Sequence, residues 1–271
     1  MDEEKKESRL QSVTNALSIL RLYEGDVTDI GVSDIARQLG ISKATAFRLA
    51  NTLLLEGFLD QSPTSQKYYL SPIYLHLAQR VNYRLSDRTN AVPHMLQLAN
   101  TISENVMLFE FFQLQVICVQ KVEGGIIPFS GVEIGSLLPL YCSASGKAML
   151  AFRCPDDVDG FFNTCSFAPY TPHTIASSEA LRDELTRIRQ QGYAEDHEEC
   201  IEGVSSLAIP IFNYKNDVIS ALTISVAAVK MERNFDLYLS ELQKTANLIS
   251  ARMGYTAKRA LTQSDLFAAT K

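Results

Sequence analysis

Along the first part of the chain, apolar positions recur with helical spacing and then switch to strand spacing. Val13, Ala16, Leu17, Leu20 and Tyr23 form the stripe of a first helix, with Ser12 as its cap and Gly25 as its end. Between Val32 and Asn51 seven constrained positions fall in register: Ile35 and Ala36 inside a second helix, Leu39 at its close, Gly40 at the turn, Ile41 after it, and Ala46 and Leu49 facing back from a third. Ala36 has to be small where two helix axes nearly touch, and Gly40 can take the positive φ that ends a helix. Ile35, Leu39, Ile41 and Leu49 fill the wedge between helices that cross steeply. Ser33 is read as the cap of the second helix and Ser42 as that of the third, while Gly57 ends the third after Glu56. Phe58 and Leu59, the polar turn Ser62, Pro63, Thr64 and Ser65, and then Tyr68, Tyr69 and Leu70 predict a hairpin. Residues 9–71 therefore read as a winged helix-turn-helix, left at Ser71-Pro72 because proline disfavours helix at the residue before it.

The pattern is helical again to about Arg84 and from Pro93 to about Ser103, which makes 72–104 a stretch of linker helices. From Asn105 strand spacing takes over in NVMLFEFF and QVICVQKV, joined by a short polar turn. Further helices are expected at Ser145 to Phe152, Ser178 to Gln191 with Gly192 as its cap, and Phe235 to Met253; further strands at Ser206 to Phe212 and Val218 to Ala227. Residues 105–255 thus read as an α+β domain with an antiparallel sheet flanked by helices. Residues 256–271 read as a fraying tail, and there is no internal repeat or low-complexity tract.

Composition adds limits. With 271 residues, 46% apolar and 21% charged, the chain can bury a sizeable core in one large or two ordinary domains. No stretch approaches the roughly 20 uncharged apolar residues that span a bilayer, and MDEEKKESR is a charge run without the apolar core of a signal peptide. A cytoplasmic protein with no membrane partner is expected. The cysteines, Cys118, Cys142, Cys154, Cys165 and Cys200, are odd in number and form no CxxC pair, so they read as buried thiols and not as a disulfide framework or zinc site. Net charge is −6, but phosphate attraction decays within roughly 8 to 10 Å, so location matters more than the sum. From Arg9 to Arg80, Arg9, Arg21, Arg37, Lys43, Arg48, Lys67 and Arg80 roughly balance Glu24, Asp26, Asp29, Asp34, Glu56 and Asp60. Such a near-neutral segment predicts modest non-specific affinity and a dimer that sums two weak contacts.

On the third helix, Ser42, Lys43, Thr45 and Arg48 are polar residues in the half that enters a major groove. Arg48 could read a guanine edge, Lys43 and Ser42 could hold phosphates, and Lys67 on the wing could reach a flanking phosphate; an ordinary solvated face is the alternative for each. In the second domain, Ser143, Ala144, Ser145, Gly146 and Lys147 form a loop-to-helix junction whose backbone N–H groups are a ready anion site, with small residues that let a ligand approach. Neither a phosphate-binding P-loop nor a nucleophile elbow fits, because Tyr141 stands where the first needs glycine and no glycine leads either serine. A Ser145/Lys147 nucleophile–base pair stays open beside the simpler reading of a helix cap. Asp196, His197, Glu198, Glu199 and Cys200 lack HExxH spacing, and a strand would send Asp196 and His197 to opposite faces, so most of this run reads as a solvated acidic loop. His76, His94 and His173 are scattered, and no catalytic residue, metal site or cofactor is indicated.

The order of winged helix-turn-helix, linker helix, LPLYCSASGKAMLAF, GYAEDHEECIEGVSSLAIPIF and VISALTIS resembles the IclR family of bacterial transcription regulators, from about Arg9 to Tyr255. The resemblance implies a DNA-binding domain joined to a GAF-like effector domain, acting as a dimer or dimer of dimers on double-stranded operator DNA. It implies a repressor of a catabolic operon that responds to a small carboxylate, a sugar acid or an aromatic acid. The effector carboxylate would meet backbone amides at Ala144, Ser145 and Gly146, and the polar pocket residues would be Asp196, Ser206, Thr223 and Ser225. Thr223 and Ser225 are two apart on a strand, so both hydroxyls face one side. Leu138, Leu140, Val204 and Phe129 are candidates for the apolar wall, or for core. Two other classes stay open: an enzyme or sensor localised by the winged helix, and a nucleoid-type structural protein, which predicts a more basic chain.

Overall fold

The structure, a computed structural model, describes residues 9–24, 27–124 and 131–256, the side chains of 82–89 excepted. Two compact units divide between Tyr83 and Arg84.

The first unit opens with α1 (Gln11–Arg21), α2 (Val32–Leu39) and α3 (Lys43–Leu55), followed by the hairpin β1 (Leu59–Gln61) and β2 (Tyr68–Leu70). Its core is built from Ile19, Ile30, Ile35, Ala36, Ala46, Ala50, Leu53, Leu59 and Tyr68, with Leu39, Ile41 and Leu49 packed against it. Gly40 is left-handed at φ 64°, as the turn between α2 and α3 requires. Gly57, also left-handed at φ 77°, closes α3 with the amides of Gly57 and Phe58 reaching back to the carbonyls of Leu54 and Leu53, a Schellman motif. Two expected caps fail. The N-cap of α1 is Leu10, with Ser12 inside the helix, and that of α2 is Gly31, with Ser33 in the first turn. The stripe of α1 is also rotated: Val13 and Leu17 face solvent and Ile19 takes the core position. Gly25 lies outside the described residues.

α4 (Ile73–Thr89) carries the chain into the second unit, running past the expected end at Arg84. There α5 (Val92–Ile102), with Pro93 in its first turn, precedes β3 (Val106–Phe112) and β4 (Gln115–Val122). After β5 (Leu137–Pro139) come α6 (Ala144–Leu150), α7 (Pro155–Thr164) and α8 (Ser178–Gln191), then β6 (Ala194–His197), β7 (Val204–Phe212), β8 (Val218–Ala227) and α9 (Ala228–Arg252). The strands form one antiparallel sheet in the order β5-β4-β3-β8-β7-β6. Alternation divides the faces. Val106, Leu108, Leu207, Ile209, Leu222 and Ile224 pack against α5 and α9, and Met107, Phe109, Ala208 and Ala221 pack against α6, α7 and α8. α5, read from the sequence as linker, thus gives Met95, Leu98, Ala99 and Ile102 to the core of this unit.

Three elements went unread, β5, β6 and α7, because two are too short for a periodic signal and Gly160 interrupts the third. Strand β7 starts at Val204 and not Ser206, and α9 starts at Ala228; the expected start at Phe235 falls just after a kink at Asn234 (φ −123°, ψ 16°). The cysteines are not uniformly buried, since Cys154 is exposed and Cys165 and Cys200 are half-buried.

α6 sits close to the sheet, and the residue types on it explain how. Ala144 and Ala148 are fully buried opposite Ala208 and Ala221. A Cβ on Gly146 would stand 2.6 Å from Leu140 Cα and 2.7 Å from its carbonyl oxygen, so backbone occupies the space that the sequence reading left for a ligand. Gly146→Ala is therefore expected to lower unfolding stability by about 1 to 3 kcal/mol through overpacking, read from urea midpoints. An unchanged midpoint would show that α6 can lift off the Leu140 turn.

Candidate DNA interface and effector pocket

In the first unit, Ser42 caps α3 by accepting the Thr45 amide at 3.1 Å, and its hydroxyl lies 2.9 Å from that of Thr45. Both hydroxyls are thus engaged, and a phosphate at this end would meet backbone amides more readily than the Ser42 side chain. Lys43 and Arg48 are exposed on α3. Between them Phe47, which the sequence reading passed over, is 52% exposed and contributes an apolar ring to the same surface. Helical spacing alone identifies it, because Ala46, Ala50 and Leu53 face the core. Lys67 on the wing is exposed and paired with Asp29 at 3.3 Å, a surface bond worth about 0 to 1 kcal/mol that a phosphate can replace.

In the second unit, register builds a polar wall. Asp196 on β6 is opposite Ser206 on β7, and Ser206 is opposite Ser225 on β8, so the three side chains stand in one row on the α6 face. Ser206 and Ser225 hydroxyls are 2.9 Å apart. One step along the sheet, Thr223 pairs with Ala208 and Met107 and lines the same space. The N-terminus of α6 closes the other side. Ser143 is its N-cap, accepting the Gly146 amide at 3.1 Å, while no hydrogen bond engages the amides of Ala144 and Ser145 among the described residues.

Ala144, Ser145, Asp196, Ser206, Thr223 and Ser225 therefore line one cavity of about 20 Å³, room for roughly one water molecule. Gly146 does not line it, and its amide is already used by Ser143. Of the apolar candidates, Leu138 and Val204 line the cavity, whereas Leu140 belongs to the core; Val132 and Ile201 line it unforeseen. Phe129 lies outside the described residues. Ser145 and Thr223 each bury a hydroxyl with no hydrogen-bond partner among the described residues. An unpaired buried hydroxyl costs roughly 1 to 3 kcal/mol, so both are groups that a bound molecule can satisfy.

The acidic run is not a solvated loop. Asp196 and Glu199 are buried, and the Glu199 amide donates to Asp196 Oδ1 at 2.7 Å. Lys147, 1% exposed on α6, pairs with Glu199 and lies 3.7 Å from Glu184 on α8. The ammonium is thus committed to carboxylates, and the Ser145 hydroxyl does not bond to it, which removes the nucleophile–base reading. Thr171 and Thr174 donate at 2.6 Å to the carbonyls of Glu198 and Glu199 and hold this turn from outside. His197 points away, exposed and 3.2 Å from Glu195. Among the described residues no group of three or more His, Cys, Asp or Glu is placed to hold a metal. Burial, helped by the charge of Glu199, pushes the Asp196 carboxyl up to about 7 against the bond from the Glu199 amide. Burial likewise pushes Glu199 up, opposed by Lys147.

Two measurements check this electrostatic picture. Asp196 holds its proton more tightly folded than unfolded, so its contribution to stability is full below about pH 4 and is lost as pH rises through about 7. Subtracting the stability–pH curve of Asp196→Asn from that of the parent should isolate this fall; a flat difference would mean that Asp196 titrates normally. Thr223→Val keeps the shape and removes the orphan hydroxyl, so it should leave stability unchanged or raise it by up to about 2 kcal/mol. A clear loss would show that the hydroxyl has a structural partner.

Comparison with known proteins agrees with this architecture. Residues 12–63 match the IclR helix-turn-helix domain, and residues 81–251 match the family described as bacterial transcriptional regulator IclR C-terminal. The chain is 30% identical over 249 residues to the HTH-type transcriptional regulator XynR of Escherichia coli, covering 92% of this chain and 99% of that protein. It is also 30% identical over 255 residues to the regulator KdgR of the same organism, covering 94% and 97%. A solved IclR transcriptional regulator from Alicyclobacillus acidocaldarius superposes with a TM-score of 0.79 at 26% identity, covering 91% of this chain and all of that one. No helix among the described residues is long and apolar enough to cross a membrane. With a helix-turn-helix, an effector domain of this topology and both family matches in the expected order, the chain belongs to the IclR family of bacterial transcriptional regulators.

Proposed function

We propose that this regulator is a cytoplasmic repressor of a catabolic operon whose grip on operator DNA is set by a small carboxylate in the cavity beside α6. The observation that carries the reading is the pair of unpartnered buried hydroxyls, Ser145 and Thr223, facing one cavity next to two free helix-end amides. The amides of Ala144 and Ser145 would take the carboxylate, as helix N-termini favour anions. Gly146 would act by letting α6 approach the Leu140 turn and not by touching the ligand. Asp196, Ser206, Thr223 and Ser225 make a wall of hydroxyls and one carboxyl, which supports a hydroxylated acid such as a sugar acid over an aromatic one. A neutral Asp196 would donate its proton to the ligand.

On the DNA side, Lys43 and Arg48 would contact phosphate and a base edge, Phe47 would meet a thymine methyl, and Lys67 would leave Asp29 for a flanking phosphate. Ser42 and Thr45 would serve by fixing the end of α3. Because the unit's charge is near neutral, the working form would be a homodimer or dimer of dimers summing two half-sites roughly 34 to 36 Å apart. The chain performs no chemistry in this reading; binding is the whole of its activity.

A gel-shift on DNA upstream of the chain's own gene tests the first half. Arg48→Ala should weaken binding by roughly 5- to 150-fold, the worth of about 1 to 3 kcal/mol for a base contact. A thermal-shift screen of sugar acids and other small carboxylates tests the second half, and a true hit should both change the gel-shift and disappear in Thr223→Val. Retained DNA affinity in Arg48→Ala would sink the docking of α3, and hits that survive Thr223→Val would sink the pocket.

A further inference from the structure

Two cysteines meet at the foot of the cavity. Cys142, fully buried, immediately precedes the N-cap Ser143, and Cys200 follows Glu199 and lines the cavity itself. Their sulfurs are 3.1 Å apart although the residues are 58 apart in sequence. A disulfide is about 2.05 Å long, so closure by about 1 Å would join them. Both residues lie outside regular helix and strand.

We propose that Cys142 and Cys200 form a reversible disulfide under peroxide stress, tying the loop before α6 to the turn after β6 across the foot of the cavity. One sulfur, as thiolate, attacks a peroxide oxygen; the O–O bond breaks, and the departing hydroxide leaves as water with the first thiol's proton. The second sulfur then attacks the resulting sulfenic sulfur, the S–S bond forms, the S–O bond breaks, and the second thiol's proton leaves with that oxygen as a second water. Two thiols are oxidised and one peroxide is reduced. A thiol such as that of a small cellular dithiol reverses it by exchange. The bond to Cys142 and burial push the Cys200 thiol up, with Asp196 adding to it.

The pair differs from the other cysteines in what oxidation can do to it. Cys154 is exposed and Cys118 is buried on β4, where its thiol donates to the Gln120 carbonyl. Only between Cys142 and Cys200 is a sulfur–sulfur contact present among the described residues. The consequence falls on the proposed effector site, since Ser143 to Ser145 and Asp196 to Cys200 are the two segments the bond would fix. This last step rests on the pocket reading above; the bond itself does not.

The test uses the full chain carrying Cys154→Ser, which removes the exposed thiol and leaves the pair intact. After hydrogen peroxide, alkylation under denaturing conditions and non-reducing digestion, a Cys142–Cys200 cross-linked peptide is expected, with the four thiols of this variant falling to two. Adding dithiothreitol should restore all four. Hydrogen exchange of amides 143–146 and 196–204 should be slower in the oxidised protein than in the reduced one. Recovery of Cys142 and Cys200 as alkylated thiols or as sulfonic acids overturns the proposal, as does a cross-link of either to Cys165. Unaltered exchange in a cross-linked protein overturns the claim that the bond fixes the cavity. No effector enters these measurements, so failure here leaves the carboxylate reading standing, and failure of the carboxylate screen leaves the thiol pair.

Discussion

The second unit is arranged around one buried ammonium. Lys147 is 1% exposed, and taking such a charge out of water is tolerated only where carboxylates and hydrogen bonds replace the solvent. Glu199 supplies the pairing, with Glu184 at 3.7 Å, and this draws a glutamate from a run of charged residues into the interior. The turn that carries Glu199 directly follows β6, which carries Asp196, and leads to Cys200, so pairing at Lys147 ties down the end of the polar wall. Removing the lysine alone would leave Glu199 buried and unpaired, a condition that typically costs about 3 to 5 kcal/mol. Glu184 is shared with Arg187 at 2.9 Å, and burial, with the charge of Glu199, holds Asp196 at about 7, so its neutral form is favoured below that.

The helix-turn-helix was legible in the sequence because its constraints are local. Ala36, Gly40 and Ala46 are each demanded by a contact or a dihedral a few residues away, and the burial of Ile35 and Ala46 follows the register read from them. Strand periodicity likewise placed β8 from Val218 to Ala227 and put Thr223 and Ser225 on one face. The caps Ser12 and Ser33 misled because serine caps where the backbone turns, and here the turns fall at Leu10 and Gly31. Glu199 was hidden for a different reason. Its partner is 52 residues away, and nothing within a window of sequence distinguishes a glutamate that meets a buried lysine from one that meets water. Phe47 was legible from the spacing of Ala46, Ala50 and Leu53 but passed over because its apolar type suggests core.

Close packing and function pull against each other at α6. Small residues let it lie against β7 and β8, and only glycine fits at 146 because Leu140 backbone occupies the place of a side chain. That approach aims the amides of Ala144 and Ser145 at the polar wall, at the expense of two hydroxyls left without partners. Strain of this kind persists where the surrounding packing over-determines it, and it gives a ligand something to relieve. The same residues thus account for the tightness of the fold and, in the proposed reading, for the binding site.

In the proposed reading, the size of the cavity bears on the form of the response. At about 20 Å³ it admits roughly one water, so even a short acid can enter only a more open arrangement of α6, the Asp196–Cys200 turn or Val132 and Leu138. A ligand that binds one arrangement and is excluded from the other shifts the population between them by its full binding energy. Moving a balance from mostly closed to mostly open takes about 5.5 kcal/mol of preference, within reach of a ligand bound at micromolar concentration. A preformed cavity of ligand size would bind more tightly and signal less, because closed and open forms would then differ little in affinity. In the proposed reading, a nearly shut site suits a sensor rather than a carrier.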